Sequence, residues 1–151
     1  MIYISKHSIL IFFCFYIFNS CSHKMYSGPK LPKNKTCMVK GKYHFWLIEA
    51  SEIKIYKIND NSNLIFNKIF LLPGKYEIVV FLSKSIALPT GGSVNHKHIP
   101  YKFKMICEAG KTYIIEGSST TLFETNNGFQ DALYVIREKD SNEVIARSPY
   151  N

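Results

Sequence analysis

Along GKYEIVVFLSK, residues 74–84, successive side chains fall on alternate sides: Tyr76, Ile78, Val80 and Leu82 on one, Glu77, Val79, Phe81 and Ser83 on the other. That period of two belongs to a β-strand, and it constrains this chain more than any other feature. YKFKMICE, residues 101–108, repeats it, with Tyr101, Phe103, Met105 and Cys107 on one face and Lys102, Lys104 and Ile106 on the other. Shorter runs predict further strands over 37–39, 43–49, 52–58, 68–72, 112–116, 132–138 and 144–146. No long 3.6-residue repeat competes. Turn-rich breaks at NDNSN (59–63), Pro73-Gly74, Ala109-Gly110 and NNG (126–128) separate the runs. The expected fold class is therefore all-β, a single β-sandwich over residues 36–151, too short for two domains.

Three local expectations follow. EAGKTYIIEG predicts a hairpin joining 101–108 to 112–116. At Pro73-Gly74, proline presets the second position of a turn and Gly74 supplies a positive φ at the third. SIALPTGGSVNHKHIP, residues 85–100, reads as the longest irregular connection, the place to expect a binding loop on a rigid scaffold.

The N-terminus has a different texture. An apolar run over 9–18 follows Lys6 and His7 and is followed by Asn19, Ser20 and Cys21. Ten residues are half of what a membrane span needs, and the order is that of an export signal. The stretch resembles the lipobox of bacterial lipoproteins, with Phe18 and Asn19 where that family prefers a Leu-like and a small residue. The resemblance implies a signal peptide over 1–20, a diacylglycerol on the Cys21 sulfur and a palmitate-type acyl chain on the new amine. It also implies a lipid-anchored protein of the bacterial cell envelope. Ser22 stands where an aspartate would retain such a protein in the inner membrane, which points to the outer membrane, facing the periplasm. The alternative is an ordinary signal that releases an unlipidated secreted binding protein.

Removing residues 1–20 takes away Lys6 and lowers the formal charge from +8 to +7. Lys24, Lys30, Lys33, Lys35, Lys40 and Lys42 all precede the first acidic residue, Glu49. Residues 21–35, with Pro29 and Pro32, are thus expected as a flexible basic stem that is either drawn to anionic head groups or simply kept solvated. No recognition motif accompanies the charge, so no nucleic-acid partner is expected. With Cys14 in the signal and Cys21 carrying lipid, Cys37 and Cys107 remain. An oxidising compartment favours a disulfide between them; two buried thiols would satisfy the same count.

MYSGPKLP after the lipobox, IFLLPGKYEIVVFL, CEAGKTYIIEG and REKDSNEVIA together resemble a group of small bacterial lipoproteins. The Pro-Gly-Lys turn opening a strand is also similar to PEGA-type modules, which are small β-sandwiches. Neither resemblance implies catalytic residues, a cofactor or a metal.

The residues themselves offer two candidates for function. His96 and His98 lie two apart, so in a strand both rings share a side, the placement of two metal ligands; a third would have to be His44, Glu108 or Glu116. That reading makes a small metal-dependent envelope enzyme, against the plainer one of a basic exposed loop. Tyr43, Phe45 and Trp46, with Phe123 and Phe129, are either core or an exposed surface for an envelope protein or glycan, with Trp46 as its hot spot. No nucleophile motif or paired-carboxylate arrangement is present. The balance favours a non-enzymatic binding or structural module held by membrane lipid through Cys21.

Overall fold

The computed structural model describes residues 23–62, 64–119 and 132–148. Among these residues eleven strands form two sheets packed face to face, an all-β sandwich without barrel closure. They are β1 His23–Lys24, β2 Cys37–Gly41, β3 Tyr43–Trp46, β4 Glu49–Ile58, β5 Lys68–Leu71, β6 Gly74–Ala87, β7 Ser93–Lys97, β8 Tyr101–Cys107, β9 Thr112–Ser118, β10 Leu133–Glu138 and β11 Val144–Arg147. One sheet runs β1-β5-β2-β9-β10-β11. The other runs β3-β4-β6, after which the long β6 pairs with β8 along its first half and with β7 along its second.

The alternation of β6 and β8 is kept. Ile78, Val80 and Leu82 meet Phe103, Met105 and Cys107 in a core with Val39, Ile69, Leu71, Tyr113, Ile115, Tyr134 and Ile136 from the facing sheet. Ile106, on the other side of β8, is exposed. β4 obeys the period only as far as Ile55. A bulge pairs Ile55 with Val80 and then Lys57 with Val79, so Tyr56 is the extra residue and Ile58 rather than Lys57 turns into the core. Cys37 at the start of β2 and Cys107 at the end of β8 form a disulfide between the sheets, Cα atoms 5.9 Å apart.

Several local expectations differ from the structure. Strands β8 and β9 do not pair as a hairpin: Gly110, at φ +82°, turns the chain from one sheet into the other. Both strands bury one face in the same core, from opposite sheets. Pro73-Gly74 likewise carries the chain between sheets, from β5 to β6, and Gly74 is not among the glycines at positive φ. Residues 85–100 are not an irregular loop. β6 runs through to Ala87, LPTGG turns with Gly91 and Gly92 at positive φ, and β7 returns. Predicting one strand over 43–49 missed the turn at Leu47 and Ile48.

The stretch expected as a free stem lies against the first sheet. His23 and Lys24 pair in parallel with Ile69 and Phe70, the His23 ring stacks on Phe66 at 4.3 Å, and Met25 packs onto the core. Lys30 and Lys68 both sit over the Phe70 ring. Apolar and aromatic side chains among the lysines explain the docking: ammonium groups sit over a ring face that attracts them, and Met25 covers core. Cys21, Phe123, Phe129 and the NNG turn lie outside the described residues.

At the other extremity the β10–β11 connection is built on Glu138. Its carboxylate accepts the backbone N–H of Ser141 at 2.7 Å and of Asp140 at 3.2 Å. Bonds from the Ser141 hydroxyl and these two amides, helped by Lys111, hold its carboxyl down at about 2. A depressed carboxyl stabilises the fold fully above its unfolded value near 4.3 and loses that contribution as pH falls toward 2. Glu138→Gln is therefore expected to melt below the wild type at pH 7, with the gap closing between about pH 4.3 and pH 2. Thermal midpoints by circular dichroism across that range check it; a gap independent of pH would be a contrary result.

Candidate functional site

Gly41 and Lys42 are where β2 leaves the first sheet and becomes β3 of the second. Lys42 N–H donates to Ile115 O at 2.8 Å, and Lys42 O accepts from Ile53 N–H at 3.1 Å, so one residue bridges both sheets. Gly41 fits because any Cβ there would overlap the Ile53 carbonyl oxygen. Beyond this crossing, β3, the first residues of β4, the end of β6 and β7 continue as a four-stranded arm past the end of the facing sheet.

The registers place the arm's side chains in rows. His44, Ser51, Lys84 and His96 form one row, Trp46, Glu49, Ile86 and Val94 the next, both on the face that continues the core side of Leu82 and Ile53. The opposite face carries Tyr43 beside Glu52 and Phe45 beside Ala50. Among the described residues nothing covers β3, which is exposed on both faces, and this is why YHFW shows no alternation. Tyr43, Phe45, Trp46, Leu47 and Ile48 are 56%, 63%, 67%, 79% and 62% exposed, an apolar stretch that a soluble surface rarely presents.

The hairpin tip is unusual for a second reason. Two-residue hairpin loops favour Asn-Gly or another glycine pair because φ must turn positive. Here the loop is Leu47-Ile48, and Leu47 sits at φ +42°. A leucine in the left-handed region costs about 1–2 kcal/mol. The sequence thus accepts backbone strain where an easier turn exists, and strain of this kind concentrates at functional positions.

Beneath the arm is a cleft of about 380 Å³, floored by Leu82 and Lys84 and walled by His44, Glu49, Glu116 and Leu133 among others. Buried Lys84 pairs with Glu49 at 2.9 Å, and Lys42 pairs with Glu116 at 2.7 Å. The Lys42 bond, joined by Arg137, pulls the Glu116 carboxyl below its ordinary value. Each lysine and glutamate lining this cleft is thus matched by an opposite charge, an arrangement that fixes these side chains. A second groove of about 670 Å³ lies where the edges of β8 and β11 meet, lined by Tyr76, Met105, Ile106, Tyr113 and Ile145.

The histidines are not brought together with a third ligand. His96 is exposed on β7, while His98, just past the strand, is buried and donates its N–H to Leu82 O at 2.9 Å. His44 shares a row with His96, but β4 and β6 stand between them, about 14 Å at ordinary strand spacing. Glu116 lines the cleft, and Glu108 lies at the far end of the sandwich beyond β8. Among the described residues no group of three or more His, Cys, Asp or Glu side chains is arranged to hold a metal. Sequence reasoning singled out Trp46 but missed Leu47 and Ile48; the absence of Gly, Asn, Asp and Pro hid the turn. No family model, curated protein or solved structure matches the chain.

Proposed function

We propose that this protein is a lipid-anchored envelope module that works by non-covalent contact rather than by catalysis. The exposed aromatic arm, Tyr43 to Ile48, carries the reading: a strained, water-facing apolar hairpin on an otherwise well-packed sandwich is a contact surface. The docked start of the described chain supports it further. Only two residues precede His23 back to Cys21, so an acyl chain there would hold the sandwich within about 7 Å of its anchor rather than on a long tether. The lipobox resemblance supplies the export route and the outer-membrane destination.

Membrane fractionation with intact mass measurement tests the anchor. Wild type is expected in the membrane fraction, lacking residues 1–20 and carrying acyl mass on Cys21, whereas Cys21→Ser is expected at least tenfold depleted there, since two or three acyl chains supply most of the affinity. Native protein that retains its first twenty residues, without acyl mass, would contradict the anchor.

A further inference from the structure

We propose that the apolar tip of the arm, Trp46, Leu47 and Ile48, enters the interface of the same bilayer that holds Cys21, as a second point of attachment. This rests on the lipid-anchor reading above.

The strand registers give the direction. β1 runs parallel to β5 from His23 against Ile69, and β5 runs antiparallel to β2, with Lys68 opposite Lys40. The start of β1, the start of β5 and the end of β2 therefore share one end of the sandwich. β2 continues through Lys42 into β3, so the arm leaves from that same end. β1 therefore begins, at His23, at the end from which the hairpin projects. A lipid two residues upstream and an apolar tip then face one surface.

Chemistry at the tip fits an interface. Tryptophan and tyrosine prefer the boundary between hydrocarbon and head groups, where an apolar ring and a polar edge are both accommodated. Ile48 O accepts the Ala87 N–H at 2.7 Å, which binds the tip to the neighbouring turn and adds Leu88, 40% exposed, to the patch. Charge agrees. Glu49, Glu52 and Glu116 at this end are each held in an ion pair with Lys84, Lys54 and Lys42, while Lys40, Lys68 and Lys97 add positive charge. Glu108, Glu138, Asp140 and Glu143 lie at the opposite end, where Lys33, Lys35, Lys75, Lys111 and Lys139 offset them. An anionic leaflet would attract the net positive first end. The strained Leu47-Ile48 loop gains a purpose, since Asn-Gly would turn more easily but would not partition.

Trp46 is the sole tryptophan, so all of the protein's indole emission comes from the tip. The full chain, with its Cys21 mass recorded, is reconstituted in phosphatidylethanolamine–phosphatidylglycerol vesicles with plain or brominated chains. Brominated chains are expected to quench roughly half of the Trp46 emission, as for a group lying about 5–10 Å into the boundary. The Leu47→Asn, Ile48→Gly double variant, whose loop suits the turn, is expected to fold at least as stably and to lose roughly threefold of that quenching. Acylated, vesicle-bound protein whose Trp46 is open to acrylamide and untouched by bromine would overturn the proposal in favour of a soluble partner or glycan. Blue-shifted emission that grows with protein density without bromine quenching would overturn it in favour of pairing between two copies along β3. The mass at Cys21 reads the anchor separately: quenching without acyl mass supports the tip and removes the anchor.

Discussion

Replacing Cys37 and Cys107 together by alanine is expected to lower the unfolding free energy by about 4 kcal/mol, the loop-closure entropy released when a 70-residue separation is no longer tied. At the size of this domain that is a drop of roughly 15 °C in melting midpoint. Position adds to the effect. Cys37 opens β2 in one sheet and Cys107 closes β8 in the other, so the bridge is a covalent tie across the core rather than within a sheet. Both side chains are buried, and the space left by two sulfurs would go unfilled unless the sheets moved closer. Burial has a kinetic consequence too, because a thiolate must reach the sulfur it attacks. Reductant is expected to open the native bridge only as fast as the end of the sandwich opens. Thermal melts of wild type and double variant, with alkylation and mass measurement after timed reduction, check both statements. A midpoint within about 3 °C of wild type would mean that the sheets hold this end without the tie.

Parity along the strands explains why so much of this was legible. In YKFKMIC the alternation sets Cys107 on the same side as Phe103 and Met105, hence inward, before any partner is known. Pairing it with Cys37 required only that β2 lie in the facing sheet. Parity fails where the backbone inserts a residue. Nothing in IKIYKI announces that Tyr56 is extra, because a bulge answers to the twist of two strands and not to a local propensity. It fails again where one strand outruns the opposite sheet. SVNHK has no apolar alternation to show because β7 covers no core, and LPTGG looks like a loop when it is the tip of a hairpin.

The exposed arm was half legible for the same reason. YHFW reads equally as core and as surface, since aromatic content does not say which, and the register that places it beyond the facing sheet is a tertiary fact. The basic segment before β2 misled in the other direction. Proline and lysine suggest a solvated linker, yet Phe66 and Phe70 offer ring faces to His23 and Lys30, and Met25 has core to cover.

Tyr134→Phe, a loss of one oxygen, is expected to cost about 3 kcal/mol, because that hydroxyl satisfies two backbone groups that have no strand partner. β6 pairs with β8 up to Val80 and with β7 from Ser83, and Leu82 sits in the gap between them. Its N–H donates to the Tyr134 hydroxyl at 3.0 Å, and the hydroxyl in turn donates to Ile99 O at 3.0 Å, in the link from β7 to β8. A side chain from the facing sheet thus completes the ladder where β6 changes neighbours. Phenylalanine would keep the packing on Tyr101 and Phe103 and leave the Leu82 N–H unmet in a buried place and the Ile99 carbonyl unmet in a part-buried one. Tyr113→Phe makes the comparison: its hydroxyl accepts a single, part-buried N–H from Glu108 at 3.2 Å, and about 1 kcal/mol is expected. Burial pushes the Tyr134 phenol above its ordinary value. The folded state then holds that proton more tightly, a contribution present below about pH 10 and lost as the pH rises through the folded value, and the phenylalanine variant should lack this loss. Denaturant unfolding of the three proteins, with hydrogen exchange at the Leu82 amide, decides the matter. Exchange at Leu82 unchanged in Tyr134→Phe, with a cost under about 1 kcal/mol, would mean that water replaces the hydroxyl and that the joint between β7 and β8 is held by its neighbours instead.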